Sequence, residues 1–120
     1  MFKYDYTNVF AKILKKEIPA TIVYEDEYVL AFEDVNPQAS VHVLLIPKGY
    51  YISMTDFSET AKDEEILAFN RSIVKVVRLK GLDEGGYRII ANTGVNGGQE
   101  VPHLHLHIVG GRRLGPMIAH

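Results

Sequence analysis

Between Pro102 and Val109 the chain alternates with a period of two: His103, His105 and His107 are interleaved with Leu104, Leu106 and Ile108. Successive side chains of a strand point to opposite faces. This spelling therefore predicts a strand over 102–109, with its leucines and isoleucine toward a core. Three imidazoles would then share a solvent-accessible surface or cleft. The chain holds only five histidines, so an HxHxH arising by chance is a ~1% event.

The remaining segments supply a sheet for that strand. Asn8 to Lys16 reads as a short helix, with Asn8 as N-cap, an apolar stripe at Phe10, Ile13 and Leu14, and Pro19 beyond its end. Thr21–Glu25 and Tyr28–Glu33 read as a hairpin around Asp26-Glu27. Asn36-Pro37 marks a turn, and Val41–Ile46 is a third strand closed by Pro47 and Gly49. Ser58 to Lys80 is helical in period, with Ile66, Phe69, Ile73, Val76 and Val77 on one face. Its acidic front, basic rear and following Gly81 suit the helix dipole and a C-terminal cap. Tyr87–Ala91 is a fourth strand and Asn92–Gln99 a glycine-rich loop. The order α-β-β-β-α-β-β predicts an α+β fold, a five-stranded antiparallel sheet covered on one face by the longer helix. With 120 residues and no repeat, linker or composition shift, the reading is one domain over 1–120.

Charge and cysteine content exclude several chemistries. Thirteen basic against 15 acidic residues give −2, and no basic block offers itself to nucleic acid or an anionic membrane. Cysteine is absent, which removes disulfides, thiolate zinc sites and a thiol nucleophile. No apolar run nears the ~20 residues of a membrane helix, and the N-terminus lacks a signal-peptide core. The expectation is a soluble, cytoplasmic protein.

Four readings compete for the three histidines: a polar strand face, a metal site, an expression tag, or an anion site with an imidazole nucleophile. A tag is opposed by the leucine spacers and internal position. On a straight strand neighbouring triad members lie ~6.7 Å apart and the outer two ~13 Å. One HxH pair could share a zinc ion, but all three could not. Neutral imidazole is a competent nucleophile near pH 7, and its neighbours can bind phosphate oxygens or protonate a leaving group. The flanks favour this last reading. Gly94, Gly97 and Gly98 precede the strand, and such loops let backbone N–H groups approach a phosphate. Gly110-Gly111 reads as a strand end. His42 is either a fourth imidazole of the site or a structural residue, and His120 reads as a solvated terminus.

HLHLHIV, from His103 to Val109, is a complete match to the HφHφHφφ motif (φ apolar), and here the sequence resembles the histidine-triad (HIT) family. FAKILKKEIPATIVYED, LAFEDVNPQASVHVLLIPK, NTGVNGGQ and GGRRLG extend the resemblance to its Hint branch over nearly the whole chain. The resemblance implies a HIT-like fold whose sheets join across a homodimer, a purine nucleotide ligand of the AMP type, and no cofactor or metal. It implies hydrolysis of purine nucleoside 5′-phosphoramidates, and of acyl-adenylates, through a nucleotidyl-histidine intermediate.

Carried over by position, His105 is the nucleophile, flanked by His103 and His107, with a backbone carbonyl expected to hold its Nδ1 proton. His107 and His42 would serve phosphate oxygens or the leaving group. Asn92 would stand on the phosphate side, Asp34 on the ribose hydroxyls, and Phe10, Ile13, Ile18, Phe32 and Val35 around the base. Gly98, Glu100 and Val101 complete the implied nucleotide-binding set. Three departures stand out: Glu100 where many members have serine, Pro102 where an aromatic is common, and a tail without the tryptophan of some animal members. Two alternatives carry different functions. One is a nucleotide-binding scaffold with incidental hydrolysis, which the Glu100 carboxylate favours; the other is a dinucleoside polyphosphate hydrolase of the same superfamily.

Overall fold

The computed structural model describes residues 3–118; His120 lies outside them. The elements run α1 (Val9–Leu14), β1 (Ile22–Glu25), β2 (Val29–Glu33), β3 (Val41–Pro47), α2 (Met54–Thr60), α3 (Asp63–Leu79), β4 (Tyr87–Ile90), α4 (Gly94–Gly97) and β5 (Leu106–Gly110). The strands form one antiparallel sheet in the order β1-β2-β3-β5-β4. This is the α+β architecture expected from the pattern, with two more helices than the sequence suggested. No helix among the described residues is long and apolar enough to cross a membrane.

The two central strands read as unbroken apolar runs, VLAF and VLLIP, because the sheet is covered on both faces. On one face Val29, Ala31, Val43, Leu45, Leu106 and Ile108 bury against Phe57 of α2 and Phe69, Val76 and Val77 of α3. On the other, Leu30, Phe32, Leu44 and Ile46 bury against Phe10 of α1. Helix α1 is short and covers only part of that face. Register places His42 opposite Val109 and Leu44 opposite His107. His42 and His107 therefore rise on the α1 face, beside the helix.

Where one helix was expected over 58–80 there are two, and the first begins earlier. Ser53 caps α2 and forms a reciprocal box with Asp56. At Ala61 the backbone turns extended (φ −68°, ψ 152°), and the Lys62 N–H is taken by the Glu65 carboxylate at 3.1 Å. Packing explains the break. A continuous helix would set Phe57 and Phe69 about 120° apart around its axis, whereas both rings are buried, 5.0 Å apart, in the same core.

The last strand also starts later than expected, at Leu106 rather than Pro102. The ladder with β3 ends at Leu45–Leu106. Upstream, Leu104 N–H bonds instead to the Tyr51 carbonyl at 2.8 Å, and Pro102 has no N–H to offer. The glycine-rich loop contains the single turn α4, closed by Gly98 N–H to Val95 O and Gln99 N–H to Gly94 O, both 3.1 Å. Gly98 ends it in the left-handed region at φ 74°.

Candidate active site

His105 is buried at 6% exposure. Its Nδ1 lies 2.7 Å from the backbone oxygen of His103. A carbonyl only accepts, so Nδ1 carries the proton and Nε2 keeps a free lone pair. The Phe10 ring meets the imidazole edge-on at 4.9 Å, and His107 stands 5.0 Å away on the other side. Burial pushes the His105 pKa down; the His103 carbonyl and the charges of Asp34 and Glu100 oppose that shift. The ring is held neutral, in one tautomer.

A second chain of bonds fixes His42 and His107. The Gln38 N–H donates to Nδ1 of His42 at 3.0 Å, which leaves the His42 proton on Nε2. That Nε2–H points to His107 Nδ1 at 2.9 Å, with Asp34 Oδ2 at 3.3 Å. His107 accepts at Nδ1, so its own proton sits on Nε2, a donor available to a ligand. Burial, reinforced by His105 and His42, lowers the His107 pKa to about 4. Asp34 has a second occupation, since its Oδ1 accepts the Asn36 N–H at 2.8 Å and shapes the turn before Pro37.

His42, Asn92 and His107 line a cavity of about 370 Å³ together with Arg88, Arg112 and Leu114. Asn92 also donates from Nδ2 to the Gly97 carbonyl at 2.6 Å, tethering α4 to the site. A larger cavity of about 600 Å³ lies against α1 and includes Ile13 and Ile18, but no histidine borders it. Of the candidate residues, His42, Asn92 and His107 open on the smaller one.

Several expectations need correction. The three imidazoles do not share an exposed face. The alternation itself holds, since Leu104, Leu106 and Ile108 bury in the core under α2 and α3 while Phe10 meets the rings of His103 and His105, and His105 meets His107. What differs is exposure, because His103 has 0% exposure and only His107 lies in the strand. His103 bonds at both nitrogens, Nε2 to the Pro47 carbonyl at 2.9 Å and Nδ1 to the Tyr4 hydroxyl at 2.5 Å. Val35 is 98% exposed and lines neither of the two cavities described above, because it lies past the end of β2 in the turn that Asp34 begins. The amides of Gly98 and Gln99 close the turn around α4, so those two are already paired within the loop. Glu100 is exposed, though near enough for its charge to act on His105. Phe10 and Phe32 are buried in edge-to-face contact at 5.5 Å, with Val101 and Ile13 packed against their cluster.

Four participants were not read from the sequence: Tyr4, Gln38, Arg88 and Arg112. Nothing in the spacing of the N-terminal tyrosines marks one as a histidine partner. Gln38 acts through its backbone, which no side-chain motif reports.

The donor set can be tested for a cation. Asp34, His42 and His107 each bring one ligand atom within 4.8 Å of the others. Metal at His42 Nε2 would displace the proton there and force one onto Nδ1, against the Gln38 N–H. The arrangement suits a hydrogen-bond relay, not a metal.

Comparison with known proteins agrees with this geometry. The HIT domain family model matches residues 15–114. An uncharacterized 13.2 kDa HIT-like protein of Azospirillum brasilense is 55% identical over 115 residues, covering 96% of this chain and 94% of that one. The purine nucleoside phosphoramidase of Escherichia coli K12 is 46% identical over 113 residues, 93% of each chain. A solved HIT family hydrolase from Clostridium thermocellum superposes with a TM-score of 0.86 at 44% identity, over 94% of this chain and 97% of that one. The chain belongs to the HIT family.

Proposed function

We propose that the protein hydrolyses nucleoside 5′-phosphoramidates of the purine class by covalent catalysis at His105. One observation carries the reading: the His103 carbonyl holds the Nδ1 proton of His105 at 2.7 Å, leaving Nε2 as an unprotonated nucleophile, with His105 packed on His107, which lines the smaller cavity. The phosphoramidase relative supports the substrate class.

In the first step the Nε2 lone pair forms a bond to phosphorus as the P–N bond breaks, and the amine leaves with a proton. The Nε2–H of His107 is the available donor, resupplied through His42. Water then attacks the nucleotidyl-His105 phosphorus as the P–Nε2 bond breaks, and its proton returns to His107, releasing the nucleoside monophosphate and restoring the neutral imidazoles. Asp34 and the Phe10–Phe32 cluster are the proposed ribose and base contacts.

The test is turnover of adenosine 5′-phosphoramidate by the natural chain and by His105→Ala. We expect loss of about 10³-fold or more in kcat/KM, in the range seen when a nucleophile is removed. Rapid acid quench should trap nucleotide label on the natural chain. Equal rates for the two proteins refute the assignment. The nearness of Glu100 to His105 favours one second reading, a nucleotide-binding module. Tight AMP binding by calorimetry with negligible turnover would establish that instead. Faster cleavage of diadenosine tetraphosphate would move the substrate class to dinucleoside polyphosphates.

A further inference from the structure

Residues 102–105 precede the β5 ladder, and Leu104 N–H to Tyr51 O ties the backbone of this stretch. Yet the carbonyl that orients His105 belongs to His103, inside it. Something other than the sheet must hold that peptide unit.

The His103 side chain does so. Pro47 O can only accept, so the neutral ring donates from Nε2 and must accept at Nδ1. The Tyr4 hydroxyl donates to Nδ1 at 2.5 Å while accepting from Asn8 Nδ2 at 2.9 Å. Asn8 is itself immobilised, since its Oδ1 accepts the Ala11 N–H at 2.9 Å as the N-cap of α1. The Tyr4 ring also meets the imidazole edge-on at 5.6 Å and packs on Tyr6 and Tyr50. Every donor in this chain has an acceptor and every direction is fixed.

We propose that Tyr4 is a positioning residue for the nucleophile: with Pro47 it clamps the His103 imidazole from both nitrogens, and so places the carbonyl that keeps His105 in its Nδ1–H tautomer. Tyr4 itself lines neither cavity, although its neighbour Tyr50 borders the larger one. Its loss leaves a fully buried Nδ1 without a donor, which the ring relieves by rotating or by exchanging tautomer, moving the 103 carbonyl with it. Small misplacements of a reacting group cost rate steeply while binding is spared. The proposal rests on His105 acting as nucleophile, but its structural half can be read without turnover.

The experiment compares the natural chain, Tyr4→Phe and Tyr6→Phe. The control at Tyr6 removes a hydroxyl from the same aromatic group without reaching the triad. In Tyr4→Phe we expect kcat/KM for adenosine 5′-phosphoramidate to fall about tenfold, with the AMP dissociation constant within about twofold. Nitrogen-15 NMR of the imidazoles should report a single His105 Nδ1–H tautomer in the natural chain and a mixture in Tyr4→Phe. Tyr6→Phe should match the natural chain in every measurement. An unchanged His105 tautomer in Tyr4→Phe overturns the proposal, as does an equal rate loss in both variants, which would mark general N-terminal packing. If the natural chain fails to cleave the phosphoramidate, the reading of the reaction falls, and the tautomer measurement still decides the role of Tyr4.

Discussion

At the scale of single residues the site is defined by which ring nitrogens hold protons, and burial makes those rings neutral. His103 has its pKa lowered to about 4, chiefly by desolvation, with the Pro47 bond opposing. An unfolded histidine titrates near 6.5, so between pH 6.5 and 4 the unfolded chain binds the extra proton and stability falls as pH falls. For His103 alone this amounts to about 2–3 kcal/mol between pH 7.5 and 4.5. Chemical denaturation across that range should show it. His103→Asn, although less stable at every pH, should lose less over the same interval; an identical pH slope would mean the ring titrates normally. The lowered pKa of His105 has a kinetic counterpart. The acid limb of kcat/KM should fall below pH 6.5, because the nucleophile stays unprotonated into mild acid. Gly111 makes a separate demand. It lies at φ 87°, and a Cβ there would meet the Ser40 Cβ at 2.9 Å. Gly111→Ala should cost about 1–3 kcal/mol, visible as a drop in Tm.

At the scale of elements, the sequence was legible wherever a local rule and the packing agreed. Asn8 caps α1 as its type predicts, and the hairpin and third strand fall within a residue or two of the pattern. The failures have one cause: period reports which way side chains point, not where an element ends or how deeply a face is covered. In the stretch from Ser58 to Lys80 the apolar stripe belongs to α3 alone, whereas Phe57 reaches the same core through a separate α2. The Ser53–Asp56 box is the local signal for that earlier start. Likewise His103 and His105 keep the spelling of a strand after the ladder has ended. The consequence was to place His103 in a cleft when it is walled in by Tyr4 and Pro47. Ser53→Ala should destabilise the fold by about 1 kcal/mol while leaving kcat/KM unchanged, since α2 packs on the sheet face opposite His42 and His107. A fall in activity equal to a triad variant would contradict that separation.

At the scale of the molecule, the sheet has two edges that differ in character. β4 is an edge strand, paired with β5 alone and carrying Tyr87, Ile89 and Ile90 at 36–42% exposure. Long apolar edges template pairing with another chain unless something blocks them. Here the one charge in the four-residue YRII strand, Arg88, is drawn to the carbonyls of Gly115 and Pro116. Pairing β4 with its copy about a two-fold axis would extend the sheet from five strands to ten and bury those side chains. It would also bring two tails near two cavities, because Arg88 of β4 already binds the carbonyls of Gly115 and Pro116. We therefore expect light scattering to report a dimer and Ile89→Lys to shift it toward monomer. The cavity wall that includes Arg88 and Leu114 sits beside this edge. The monomeric variant should accordingly change leaving-group preference more than AMP affinity, whereas a natural chain that stays monomeric at high concentration would leave the β4 edge as plain solvent-facing surface.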